Sequence, residues 1–335
     1  MNVAVVILNW NGRDFLNQFL PSVIKHSVGA RVYVADNAST DDSVSFLKAN
    51  FLEVSLIQLS ENLGFAGGYN HALQNLEEDY FVLLNSDVET TPNWITPIIT
   101  LMDLDEKIAA CQPKIRSYNE RDKFEYAGAS GGFIDQYGYP FCRGRLFDAL
   151  ETDNGQYDDV KEVFWATGAC LFVRRDVYQQ LGGLDEDFFA HMEEIDFCWR
   201  LKRAGYKVMV QPASVVYHVG GGTLAKSNPR KTFLNFRNGL ILMLKNLPKE
   251  ELFTKLFSRL VLDGVAAIKF LLTGYPRDFW AVVRAHGAFH SNFRKNMNKR
   301  KGTYPALSGQ FKGSVVYQHF VKKINAFNQL PPNKF

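Results

Sequence analysis

The sequence of 335 residues predicts an α/β fold: an open, mostly parallel, twisted sheet flanked by helices, followed by a helical C-terminal appendage. Two observations carry that prediction. Over residues 1–115, short β-branched runs alternate with helical patterns, as the βαβ units of a parallel sheet require. After about residue 224 the alternation stops, and long apolar helical patterns with basic side chains replace it.

The strand-like runs fall at 3–8, 31–36, 54–59 and 80–84, with helical patterns at 13–26, 40–50 and 66–77. Residues 116–160 are irregular and rich in Gly, Tyr and Asp, which reads as long loops or hairpins covering one side. Val163–Arg174 reads as a buried strand, Asp185–Ala204 as a helix stopped by Gly205, and Lys207–Gln211 as a strand. Phe233–Leu247 and Glu250–Thr273 read as helices. The expected division is a body at 1–224, split into halves at 1–115 and 116–224, and a basic helical region at 225–335.

Hydrophobic content of 46% and charged content of 22% permit a sizeable core. The net charge of +3 hides an asymmetry. Residues 1–224 carry 18 Lys/Arg against 31 Asp/Glu, whereas residues 225–335 carry 20 against 4. A basic C-terminal third suits an anionic surface or an anionic substrate tail. No nucleic-acid-binding motif accompanies the charge, so nucleic acid is not an expected partner. In Glu250–Thr273 the charges of Lys255, Arg259, Asp263 and Lys269 argue against a membrane span. The expectation is an amphipathic helix pair on an anionic leaflet, with Arg294, Lys295, Lys299, Arg300 and Lys301 adding attraction. The alternative is a helical cap on the body or a homodimer contact. Four widely spaced cysteines without a C-x-x-C pair argue against a zinc site or a disulfide framework and favour a reducing compartment. The N-terminus lacks the pattern of a signal peptide, so a cytoplasmic chain is expected.

In a parallel sheet, ligands bind outside the carboxyl ends of the strands. Polar motifs gather there: Asn9-Trp10-Asn11-Gly12, Asp36-Asn37-Ala38-Ser39, Glu61-Asn62-Leu63-Gly64 and Asn85-Ser86-Asp87. The last offers carboxylate and carboxamide oxygens that suit a hard divalent cation able to hold a diphosphate; an isolated motif of this kind would be a polar turn. Asp36 can accept from a ribose hydroxyl or a pyrimidine N–H, while the residues after it cap the next helix. The glycines of Gly64-Phe65-Ala66-Gly67-Gly68-Tyr69-Asn70 do not fit a dinucleotide fingerprint and instead allow close approach of a helix to a nucleotide or the sheet.

A second chemical centre lies at 184–200. Glu193 and Asp196 share a helix face, and Glu194 lies near the helix start, where the dipole favours a carboxylate. A carboxylate so placed can take a proton from a hydroxyl. The plain alternative is an acidic helix start balanced by Arg200, Lys202 and Arg203 at its other end. His218, before Gly220-Gly221-Gly222, can ligate a metal or contact a phosphate, or be structural.

Taken in order, the four strand-end motifs resemble those of family-2 glycosyltransferases, and of the bacterial rhamnosyltransferase-like subgroup in particular. Thr167-Gly168-Ala169, Glu193-Glu194-Ile195-Asp196 and Tyr217-His218-Val219-Gly220-Gly221 continue the resemblance, which covers roughly residues 1–245. It implies a GT-A fold with a nucleotide-binding half followed by an acceptor half. It also implies an inverting enzyme that moves a sugar from a nucleotide-diphosphate sugar to a glycan or lipid-linked acceptor in cell-surface polysaccharide synthesis, at the inner face of the cytoplasmic membrane. By position, Asn9, Asn11, Asp36, Asn62, Gly64, Asn70, Asn85, Ser86 and Gly168 would line the donor site. Asp87 and His218 would hold Mg²⁺ or Mn²⁺. Glu194 would be the base, with Glu193 and Asp196 beside it. Two positions depart from the family: Asn85 replaces the first Asp of its metal motif, and Glu193-Glu194 replaces its Glu-Asp pair, which leaves Glu193 open as the base. A sugar nucleotidyltransferase and a non-catalytic nucleotide-binding protein are the rival readings.

Overall fold

The computed structural model describes residues 2–220 and 228–335. Gly221 and Gly222 of the glycine run, and the expected boundary at 224/225, lie outside the described residues. The first part alternates as expected: β1 (Val3–Asn9), α1 (Arg13–His26), β2 (Arg31–Asp36), α2 (Ser43–Asn50), β3 (Ser55–Gln58), α3 (Gly64–Leu73) and β4 (Tyr80–Asn85). There follow β5 (Val88–Thr90), α4 (Thr96–Leu104), β6 (Ile108–Ser117), β7 (Gly132–Asp135), β8 (Pro140–Cys142), β9 (Arg145–Leu146) and β10 (Ala149–Leu150). After them come β11 (Lys161–Val163), β12 (Cys170–Arg174), α5 (Arg175–Gln180), α6 (Glu193–Arg203) and β13 (Lys207–His218). The C-terminal part holds α7 (Pro229–Asn246), α8 (Lys249–Leu272), α9 (Pro276–Ser291), α10 (Phe293–Met297) and β14 (Gln310–Phe311).

The main sheet has the order β11-β13-β6-β12-β4-β1-β2-β3, with β5 beside β13. Strands β4, β1, β2 and β3 are parallel, and β12 enters antiparallel between β4 and β6. The apolar runs are buried on both faces with a period of two, as a covered parallel sheet demands. On β4, Phe81 and Leu83 face one hydrophobic cluster while Tyr80, Val82 and Leu84 face the other.

Two expected elements are broken. Val163–Arg174 is interrupted between β11 and β12 by the turn holding Thr167-Gly168-Ala169. Asp185–Ala204 holds a single 3₁₀ turn at Glu186–Phe188 and then α6, because Phe189, His191 and Met192 adopt φ of 64°, 69° and 74°. The irregular 116–160 stretch contributes the short strands β7–β10 to a small second sheet, in the order β10-β9-β8-β7-β14. Its last strand comes from the C-terminal tail, whose Phe327 and Phe335 pack on Phe133 and Phe141. The tail is thereby tied into the body.

The C-terminal helices are joined to the body as well. Half of α7 is buried, from Asn238 to Asn246. Lys295 and Lys299 pair with Asp187, Lys299 also with Asp185, and Arg300 donates to the carbonyls of Leu244 and Leu247. Most of the basic cluster is therefore spent on the body. Two of the charges that interrupt α8 point inward: Arg259 and Asp263 are buried and paired at 2.7 Å, and Tyr139 donates to Asp263 at 2.9 Å. Its apolar side chains Phe253, Phe257, Val261, Val265, Ile268 and Leu272 face outward. Among the described residues no helix is long and apolar enough to cross a membrane. All four cysteines are buried and unpaired.

Candidate active site

Register brings the strand ends together. Asn9 lies opposite Asp36, Leu8 opposite Asn85, and Asp36 opposite Gln58. Most of the asparagines at these ends hold loops rather than stand free. Asn9 donates to Asp36 at 3.0 Å and to Ser39 at 3.2 Å, while Asp36 also accepts the Ser39 N–H at 3.0 Å. Asn11, at φ 52°, accepts the N–H groups of Thr40 and Asp41. Asn62 accepts from the Gly64 N–H and from Asn37. Gly64 has φ +71°, and a Cβ there would stand 2.6 Å from the Phe189 ring, so the tight approach needs glycine. Asn70 clamps α3 to the 184–186 loop through Leu184 and Glu186, and accepts from Tyr178 of α5. The donor-site expectation for Asn9, Asn11, Asn62 and Asn70 thus meets a scaffolding use of their side chains. Asn85 and Ser86 stay partly exposed at the end of β4.

Asp87 follows β4, and the antiparallel pairing of β5 with β13 sets His218 against it. The Val219 N–H donates to the Asp87 carbonyl at 3.1 Å. His218 Nε2 lies 3.1 Å from Asp87 Oδ1 and 3.4 Å from Asn85 Nδ2, while its Nδ1 faces Glu125 Oε2 at 3.1 Å. Glu125 comes from the loop after β6 and is nearly buried. Gly220, at φ +70°, leaves it room, since a Cβ there would collide with Glu125 Oε1. Burial disfavours charge on His218, but Asp87 and Glu125 outweigh it and push its pKa up to about 10. Burial likewise opposes the Asp87 carboxylate, yet the imidazolium beside it keeps its pKa below the usual range. This is a carboxylate–imidazole–carboxylate line, in which Glu125 orients the ring as outer partners of metal-bound histidines do. Asp87 and His218 Nε2 converge where a cation could replace the shared proton. Among the described residues no three His, Cys, Asp or Glu side chains are arranged to hold a metal unaided. The donor set fits a cation completed by substrate phosphate oxygens.

The second centre is different in kind. Glu193 is buried and Glu194 partly exposed, and each has an oxygen without a hydrogen-bond partner. Burial pushes the Glu194 pKa up to about 7 despite nearby backbone N–H groups, Gly168 among them. Burial, and then repulsion from Glu194, drives Glu193 well above the carboxylate range. Asp196, grouped with them from the sequence, is instead an anchor: it accepts from Arg200 at 2.9 Å, Lys245 at 2.8 Å and Asn246 at 2.8 Å. Burial opposes its charge, but Lys245 and Arg200 hold its pKa far below normal. The two centres meet through one turn. The Ala169 carbonyl receives the Asn85 N–H at 3.0 Å, and the preceding Gly168 lies against Glu194: a Cβ added at Gly168 would stand 3.8 Å from the Glu194 Cβ.

Sequence reading missed the support. Asn238 donates to the carbonyls of Phe188, Ala190 and His191 at 3.1, 2.9 and 2.7 Å, and Arg237 to those of Asp187 and Phe188 at 3.0 Å. They hold the positive-φ loop that aims Glu193 and Glu194. The signal for Asn238 was a carboxamide amid an apolar helical pattern; Glu125 had none. A separate cavity of about 430 Å³, lined by Lys114, Arg116, Asp153 and Asp158 among others, contains none of these residues, and Lys114 there is already neutralised by Asp153 and Asp158.

Known proteins fit this arrangement. A sequence profile described as Glycosyl transferase family 2 matches residues 4–182. The N-acetylglucosaminyl-diphospho-decaprenol L-rhamnosyltransferase of Mycobacterium tuberculosis is 28% identical over 241 residues, 66% of this chain and 77% of that protein. The low-salt glycan biosynthesis hexosyltransferase Agl10 of Haloferax volcanii is 23% identical over 288 residues, 84% of each chain. The crystal structure of GalNAc-T7 with UDP, GalNAc and Mn²⁺ superposes with a TM-score of 0.57 at 16% identity, covering 74% of this chain and 48% of that one. The fold is that of GT-A enzymes, and the chain belongs to glycosyl transferase family 2.

Proposed function

We propose that the chain transfers a sugar, with inversion, from a nucleotide-diphosphate sugar to a hydroxyl of a glycan or lipid-linked acceptor. The observation that carries this reading is the pair of acidic centres joined by Thr167-Gly168-Ala169: Asp87 is charge-compensated, whereas Glu194 is left without a cation. In a single displacement, the acceptor oxygen attacks the anomeric carbon from the face opposite the diphosphate. Its proton passes to Glu194, the bond to the diphosphate oxygen breaks, and the nucleoside diphosphate leaves. Asp87 and His218, with Glu125 holding the ring, would bind Mg²⁺ or Mn²⁺. Such a cation supplies charge neutralisation of the leaving diphosphate. Asp36, fixed by Asn9 at the strand end, would meet the base and ribose of the donor, and Asn85 and Ser86 would meet its phosphates.

The Mycobacterium tuberculosis relative is named for a decaprenol-linked diphosphate acceptor. We extend that acceptor class to this chain, which would work at the inner face of a cytoplasmic membrane in cell-surface polysaccharide synthesis. The test is product identity with and without EDTA. Transfer predicts nucleoside diphosphate release that EDTA stops and Mn²⁺ restores. Pyrophosphate release would indicate a nucleotidyltransferase, and donor binding without turnover a non-catalytic protein.

A further inference from the structure

The hairpin of α8 and α9 turns its chemistry inside out. Arg259, Asp263 and Asp278 are buried along it, while Ile268, Leu271, Leu272, Tyr275 and Trp280 are 49–81% exposed around its tip. The outward stripe of α8 runs back through Val265, Val261 and Phe257, along a helix roughly 36 Å in length. A contiguous apolar surface of this kind marks an interaction site rather than ordinary exposure.

Charge says what covers it. Between residues 252 and 335 the only Asp or Glu side chains, Asp263 and Asp278, are both buried. The exposed charge beside the tip is of one sign: Lys269, Arg277, Lys322 and Lys323. Lys269 lies 4.5 Å from the centre of the Phe320 ring, which draws the segment before Lys322 against α8. A second copy of the chain would bring the same cations to both sides of a contact. An anionic leaflet offers apolar depth and opposite charge together, and Tyr and Trp favour its interface.

The tip also adjoins the site. Thr232, on the first turn of α7, donates to Asp278 at 2.5 Å on the first turn of α9. Arg230, two residues earlier, lies 5.3 Å from the centre of the Phe189 ring. The Phe189 carbonyl receives the Phe65 N–H at 2.8 Å, and Glu193 follows four residues later.

We propose that the α8–α9 hairpin tip seats in an anionic lipid surface and so holds the acceptor side of the transfer site against the membrane. Its link to the acceptor rests on the transfer reading; its binding of lipid does not.

The test is cosedimentation of the full chain with phosphatidylglycerol-containing vesicles and with pure phosphatidylcholine vesicles, at low and high salt. The exposed pair is changed together, Leu272→Ser with Trp280→Ser, and thermal melting checks the fold. The wild type is expected to bind the anionic vesicles about tenfold better than the neutral ones, and the double variant to lose about tenfold at unchanged Tm. Donor turnover with a water-soluble acceptor is expected to stay the same in the variant. Equal binding by variant and wild type, or no preference for anionic lipid, overturns the proposal. So does a wild-type dimer that the double variant abolishes in the absence of vesicle binding, which would give the face to a second copy. Loss of donor turnover in a chain that still binds vesicles would strike the transfer reading and leave the docking surface standing.

Discussion

Two acidic centres share one edge of the sheet and are built on opposite principles. At Asp87 every charge is answered: His218 sits between Asp87 and Glu125, and Gly220 is shaped to let Glu125 in. At Glu193 and Glu194 only backbone N–H groups answer. Burial raises both carboxyls, an oxygen of each lacks a partner, and Lys245 and Arg200 are committed to Asp196. A compensated carboxylate stays ionised and suits the holding of a cation and a diphosphate. An uncompensated one with a pKa near neutrality suits the exchange of a proton. On the proposed function, the contrast would divide the reaction between leaving group and nucleophile.

Removing the compensated carboxylate should do the most damage to donor binding. Asp87→Ala is expected to weaken donor affinity roughly a hundredfold or more, measured by titration with Mn²⁺, because the diphosphate loses its anchor. Donor affinity equal to that of the wild type would place the anchor elsewhere. Asn238→Ala attacks the scaffold of the other centre. It removes the Asn238 donor from the carbonyls of Ala190 and His191, while Phe188 keeps Arg237, and should cost about 1–3 kcal/mol in chemical denaturation. In a variant that still folds, kcat should fall while donor affinity holds. The smallest effect is expected from Glu193→Gln, and it sharpens the contrast through stability. A carboxyl whose pKa is raised in the folded state binds its proton more tightly there than when unfolded. Its contribution is full below the unfolded pKa and is lost as pH rises towards the folded value. Glu193→Gln should therefore raise Tm at pH 8 more than at pH 5; an equal shift at both would mean that Glu193 is not strained.

The alternating half of the fold was legible because strand and helix periods differ and each strand announces its end with a polar loop. The site was legible in outline for the same reason, since register alone brings Asn9, Asp36 and Asn85 to one edge. What escaped were features decided by long-range packing. The break before α6 depends on positive φ at Phe189, His191 and Met192, held by an asparagine 47–50 residues away. Asp196 looks like Glu193 in sequence and differs because Lys245 and Asn246 reach it from α7 and Arg200 from its own helix. The inward charges of α8 follow the same logic. Arg259 and Asp263 satisfy each other four residues apart and meet Tyr137 and Tyr139, so the helix can bury its ions and expose its aliphatic face. No periodicity in the sequence distinguishes that from the reverse.

The central claim is that Glu194 alone carries the proton while Asp87 and His218 hold the leaving group. The most direct measurement is turnover and donor affinity, side by side, in Glu194→Gln, with the wild-type rate followed across pH. The account predicts a wild-type rate that rises through about pH 7, where the raised Glu194 pKa lies and above which the base is free. In Glu194→Gln it predicts a loss of roughly a hundred- to ten-thousandfold in turnover, with donor affinity unchanged. Turnover retained in the variant, or a rate limb near pH 7 that survives the substitution, would contradict it.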